Sequence, residues 1–252
     1  MHNFDALNLR GAPRCIRDGM ANSKRMRLVV NEAPGSLELL CFGTIGGDGE
    51  GGGMLADDIA HILRRNSGRP VNVKINSGGG SAFDGISIYS SLVSHNAEVT
   101  TTNISMAGSA AAIISQAASP GRREMYDVAS LFVHRAAMLS IGNAQDMREA
   151  ADWLDTVDRQ ITTALANRTG RPVSAIAKLL AGDGSKDGTV FSPQQAIAEK
   201  FADRIISTRS DGNLRSAENH EQRARMLTDI SHDQVLAARF DVWRKDTARR
   251  HA

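Results

Sequence analysis

Between residues 28 and 207 the spacing of apolar positions switches repeatedly between a period of two and a helical period. That switching predicts strands alternating with helices. Residues 28–30 and 37–43 read as short strands across the turn Ala33-Pro34-Gly35-Ser36. A glycine-rich loop at 46–53 follows them. Residues 54–65 carry apolar side chains at 55, 59, 62 and 63 and predict a helix that ends at Asn66-Ser67-Gly68. The run Val71-Asn72-Val73-Lys74-Ile75 alternates as a strand and leads into a second glycine cluster at 77–81. Residues 83–95 predict a helix, 99–104 a strand, 108–118 a buried helix of small residues, and 128–133 another strand. A long amphipathic helix is expected at 143–167, short helices at 173–180 and 194–202, and a last strand at 203–206. Strands alternating with helices of this length argue for an α/β fold built on a parallel sheet.

Past residue 207 the pattern fades. Residues 208–217 are polar and turn-rich, and 218–252 form a weakly amphipathic, arginine-rich tail. The expected organisation is an arm at 1–27, one α/β domain at 28–207, and a linker with a helical tail at 208–252. Two cysteines, Cys15 and Cys41, are too few for a disulfide framework, and no signal-peptide core or long apolar run is present. A cytoplasmic protein without membrane contact is therefore expected. The net charge of +2 favours no acidic partner, and an aromatic content of 4% is too low for stacking along single-stranded nucleic acid.

Three positions carry candidate chemistry. The cluster Ser77-Gly78-Gly79-Gly80-Ser81 reads either as a tight turn or as a backbone cradle whose N–H groups face a ligand. It fits neither the phosphate-loop nor the dinucleotide pattern. Ser109 lies between Gly108 and a row of alanines, where a strand is expected to turn into a helix. A serine there is commonly a cap. With glycine before it and the Ala110 N–H after it, it also has the makings of a nucleophile elbow. His134 follows Leu131-Phe132-Val133 at a strand's C-terminal end, where sites in parallel sheets collect. It reads either as a buried structural histidine or as the base for Ser109.

In order along the chain, these motifs resemble the Clp protease proteolytic subunit family. The run from Ile75 to Ser81, with Gly85 and Ile88-Tyr89, is similar to that family's glycine-loop signature. Ala107-Gly108-Ser109-Ala110 resembles its nucleophile motif, Phe132-Val133-His134 its histidine motif, and Phe191-Ser192-Pro193-Gln194-Gln195-Ala196 with Phe201-Ala202-Asp203 its ending. Gly80 and Ser109 lie 29 positions apart (109 − 80), and Ser109 and His134 lie 25 apart (134 − 109), as in the family without insertions. Within it, the chain is most similar to the head maturation proteases of tailed phages.

The resemblance implies a fold of repeated ββα units with a projecting handle helix at 143–167. It implies a serine endopeptidase in which Ser109 is nucleophile and His134 base. Backbone N–H groups of Gly80 and Ala110 form the oxyanion hole, and Gly78 and Gly79 hold substrate. No cofactor and no metal are implied. The triad acid is the unmatched member, because the family's aspartate position falls on Gly188; Asp187 is the first candidate and Asp183 the second. The implied partners are a peptide or protein substrate, further copies in a ring (a heptamer or double ring), capsid or scaffold proteins, and a separate ATPase. The implied setting is the host cytoplasm or the procapsid. The competing readings are an inactive ring subunit and a crotonase-type acyl-CoA enzyme.

Overall fold

The computed structural model describes residues 29–33, 35–47, 53–184 and 187–208. The expected arm at 1–27, the interior of the first glycine loop and the tail past residue 208 lie outside the described residues. Contacts divide the chain into units 1–208 and 209–252, and only the first is described.

Its strands are β1 (Val29–Ala33), β2 (Ser36–Gly47), β3 (Gly53–Met54), β4 (Val71–Gly80), β5 (Val99–Gly108), β6 (Arg123–Tyr126), β7 (Ser130–Val133), β8 (Thr189–Phe191) and β9 (Arg204–Ile206). Its helices are α1 (Ala56–Arg65), α2 (Ala82–Val93), α3 (Ala110–Ser115), α4 (Ala144–Thr169), α5 (Val173–Ala181) and α6 (Pro193–Ala198). One mixed sheet runs in the order β1-β2-β4-β5-β6-β9. The steps from β2 to β9 are parallel, as expected, whereas β1 and β3 run antiparallel to β2.

Alternation decides which face is buried. In β4, Val71, Val73 and Ile75 point into the core and sit in register with Leu37, Leu39 and Cys41 of β2. Ile59 and Leu63 of α1, Ile88 and Leu92 of α2 and Ile114 of α3 cover that face. Each such side chain contributes roughly 1.5–3 kcal/mol on leaving water.

Strand β5 changes partner along its length. Thr101 to Asn103 pair with β6, and Met106 to Gly108 pair with β7. Strand β7 in turn pairs antiparallel with β8. The sheet thus forks, and the short branch β5–β7–β8 carries the positions of chemical interest.

Three expectations need correction. The glycine cluster at 77–81 is not a free loop: β4 runs through Gly80, with its last residues paired to Thr44 and Ile45. Strands β6 and β8 were not expected from their apolar pattern. In β6 the residues Arg123 and Glu124 are buried, satisfied by Asp203 and by Thr102 and Arg204 respectively, so no apolar alternation marks it.

Helix α4 begins with a reciprocal cap. The Asn143 side chain accepts from the N–H groups of Gln145 and Asp146, and the Asp146 carboxylate accepts from the Asn143 N–H at 2.8 Å. Gly170 closes it in the left-handed region. Its first turns are exposed, and burial begins at Val157 and continues through Ile161 and Leu165 on one stripe. No described helix is long and apolar enough to cross a membrane.

Candidate active site

Strand β5 ends at Gly108, and the chain turns sharply into α3 at Ser109. Its φ of 54° and ψ of −124° lie in a region that non-glycine residues rarely occupy. The hydroxyl of Ser109 makes no cap bond to α3, so the helix-cap reading of this serine does not hold. Its N–H donates to the Phe132 carbonyl at 2.9 Å, which ties the turn to β7. Ala110 is the first residue of α3, so its N–H has no carbonyl one turn earlier to donate to.

The end of β4 packs directly under this turn. A Cβ on Gly79 would lie 2.5 Å from the Cβ of Ser109, and one on Gly108 would lie 3.0 Å from the Gly78 carbonyl. Gly78 and Gly79 are buried, and the Gly79 N–H is taken by the Ser77 hydroxyl at 3.0 Å. These two glycines let β4 approach the serine turn, and Gly80, the next residue, lines the cleft.

His134 is the first residue past β7, two positions beyond the Phe132 that faces Gly108. Its ring stacks on Phe132 with centroids 4.9 Å apart and planes 10° from parallel. Burial lowers its pKa from the ordinary imidazole value, against the charge of Asp187 and a hydrogen bond with the Arg135 backbone, both of which raise it. A ring in that state is neutral near pH 7. Its Nε2 is buried and has no hydrogen-bond partner among the described residues, so the structure does not close a Ser109–His134 bond. Such bonds are often long before substrate arrives.

Gly188 presses against the histidine. A Cβ there would lie 2.6 Å from the His134 Cβ and 2.4 Å from the Val133 carbonyl, and its φ is +84°. No aspartate fits at that position. Asp187, one residue earlier, is the carboxylate whose charge acts on His134, and its Oδ1 lies 3.6 Å from Arg135 Nε. Asp183 is exposed.

Gly80, Ser109, Ala110 and His134 line one cleft of about 210 Å³. Its far wall is apolar, made largely by Val157, Ile161 and Leu165 of α4. Phe83 and Trp153 stack across its rim, 5.5 Å apart. Sequence reasoning missed this rim. Phe83 is 49% exposed. No described group of His, Cys, Asp and Glu could hold a metal. Cys41 lies deep in the core, where burial pushes its thiol up to about 12, and takes no part in the site.

The model of the Clp protease family matches residues 54–209. The chain is 28% identical over 141 residues to ATP-dependent Clp protease proteolytic subunit 1 of a Synechococcus species, covering 56% of this chain and 69% of that one. It is 26% identical over 153 residues to the ATP-dependent Clp protease proteolytic subunit of Porphyromonas gingivalis, covering 61% and 67%. It is 33% identical over 111 residues to ATP-dependent Clp protease proteolytic subunit 1 of Rhodococcus jostii, covering 44% and 50%.

Proposed function

The chain belongs to the Clp protease family and is a serine-type peptidase, and on that premise we propose that Ser109, His134 and Asp187 are the groups that carry its chemistry. One observation carries the reading: the strained turn sets Ser109 on the same cleft as His134 and Gly80. His134, neutral at neutral pH, takes the hydroxyl proton as Ser109 Oγ attacks a peptide carbonyl. The carbonyl carbon becomes tetrahedral, and its oxyanion is held by the N–H groups of Gly80 and Ala110, a contribution of roughly 3–4 kcal/mol per donor in comparable sites. His134 returns the proton to the leaving amine. A water molecule then repeats the sequence and frees the acyl group from Ser109. Asp187 holds the imidazole in the useful tautomer and stabilises its charged form.

The natural substrate follows from a finer resemblance. The stretch from Asp187 to Ala196, the glycine-rich loop at 46–53 and the segment past residue 207 support a role in processing capsid or scaffold proteins during phage head maturation, in the host cytoplasm or the procapsid. The exposed first turns of α4 support a handle through which copies pair, so the working form is a ring of this chain. No ATPase motif accompanies the peptidase motifs, so unfolding of a folded substrate falls to a separate ATPase.

A fluorophosphonate probe with mass mapping tests the chemistry. Labelling at Ser109 that vanishes in Ser109→Ala, together with loss of peptide cleavage, is the expected result. Cleavage by Ser109→Ala at the wild-type rate overturns the assignment. Product mapping on a capsid or scaffold protein tests the substrate in the same way.

A further inference from the structure

The chain leaves β7 with His134, Arg135 and Ala136 in succession, and among the described residues no strand pairs with it after Val133 meets Thr189. It is held by α4 instead. The Ala136 N–H donates to Asp158 Oδ1 at 2.6 Å. Asp158 stands half-buried in the middle of α4, next to Val157 and one turn from Ile161, both of which wall the cleft. Arg135, between the two, turns its Nε toward Asp187 at 3.6 Å. The charged groups facing Asp158 are Arg135 from this segment, Asp187 from the approach to β8, and Asp155 from its own helix. Burial raises the Asp158 carboxyl above its ordinary value, and the Ala136 N–H and Arg135 work against that.

We propose that Asp158 is a positioning residue for the His134 base: from α4 its carboxylate fixes the backbone two residues beyond the imidazole and so sets the ring against Ser109. The inference deepens the peptidase reading and rests on it. A carboxylate accepting a backbone N–H is among the stronger hydrogen bonds available. Without it, residues 134–136 lose their hydrogen bond to α4. The same bond couples the base to the helix that walls the cleft, so α4 and His134 move as one piece. A displacement of about 1 Å at a reacting group can cost on the order of a hundredfold in rate.

The test uses the full-length chain with Asp158→Ala and Asp158→Asn. Asparagine keeps an acceptor for the Ala136 N–H, and alanine removes it. With a fluorogenic peptide, Asp158→Ala is expected to lower kcat by about 10- to 100-fold with KM little changed. Asp158→Asn is expected to restore most of kcat. Amide hydrogen exchange at Ala136 should quicken by about tenfold or more in Asp158→Ala and stay near wild type in Asp158→Asn, as the freed N–H loses its partner. Wild-type kcat in Asp158→Ala, or equal losses in both variants with unchanged exchange at Ala136, overturns the proposal. The exchange measurement needs no activity and is repeated in the Ser109→Ala background. It therefore decides the Ala136 tie even where the peptidase assignment fails. If Asp158→Ala does not fold, Asp158→Glu takes its place: the charge is kept but reaches one methylene further, and an intermediate loss of kcat is expected. Wild-type kcat in Asp158→Glu with fast exchange at Ala136 counts against a positioning role.

Discussion

Gly79 and Ser109 are packed so closely that a single methyl on the glycine would lie 2.5 Å from the serine Cβ and 2.8 Å from the Gly108 carbonyl. Gly79 also has a φ of +107°, which side chains rarely adopt. Gly79→Ala should therefore lower stability by about 2 kcal/mol or more, from backbone strain and overpacking together. It should also displace the serine turn. Urea titration and fluorophosphonate labelling measure the two effects. Normal labelling in a stable Gly79→Ala protein would show that the close approach does not matter.

The acid limb of kcat/KM should lie below pH 6.5, the ordinary imidazole value. The base must be neutral to act, and burial lowers the pKa of His134. Asp187 raises that pKa, so Asp187→Asn should move the limb to lower pH while the plateau falls by about 10³-fold or more. The same depression bears on folding. The unfolded chain takes up a proton on this histidine more readily than the folded one, so its contribution to stability is present above about pH 6.5 and is lost as pH falls through the folded value. A pH–rate profile with a limb above 6.5 would contradict this account.

Arg123 should be the most sensitive charged position outside the cleft. Its guanidinium bonds Asp203 Oδ1 at 2.6 Å, Gln116 Oε1 at 2.9 Å and the Lys200 carbonyl at 2.7 Å, and its side chain is only 10% exposed. Asp203→Ala strands that cation and should cost about 3–5 kcal/mol. Burial alone would raise the Asp203 carboxyl, but the bonds from Arg123 outweigh it and hold the pKa below its ordinary value. The pair's contribution is thus present above about pH 4 and is lost as pH falls through the folded value. The gap in urea midpoint between wild type and variant should narrow in acid.

Trp153 and Phe83 should govern which side chains enter the cleft. Their stacked rings rim an apolar wall. Trp153→Ala should raise KM by about 2- to 10-fold for peptides with a bulky apolar residue next to the scissile bond, the value of one aromatic pair. Peptides with alanine at that position should be little affected. Equal changes for both would assign the pair a purely structural role.

Much of this site was legible in the chain itself, for a physical reason. Ser109 and His134 each sit at the C-terminal end of a strand, and the spacings that deliver them are filled by whole helices and strands of fixed length. Fixed offsets therefore survive as readable offsets. The acid was harder to read because it depends on a close contact rather than a spacing. Gly188 is pressed against His134 from 54 positions away (188 − 134), and no spacing along the chain announces that crowding. Strand β6 was illegible because its inner residues are charged and their partners lie about 80 positions on. The Phe83–Trp153 rim is likewise a product of tertiary packing, since no spacing along the chain places the two rings together.

The forked strand has a consequence for how such a protein wears out. Strand β5 holds the main sheet with its lower half and the reactive residues with its upper half. The branch it carries consists of two strands of four and three residues, pinned by few ladder bonds. Yet Leu131 and Val133 of β7 and Phe191 of β8 are buried in the same apolar cluster as the main sheet, so the branch cannot come away without opening that core. Inactivation and unfolding should then arrive together, with residual activity tracking the circular dichroism signal as the protein ages.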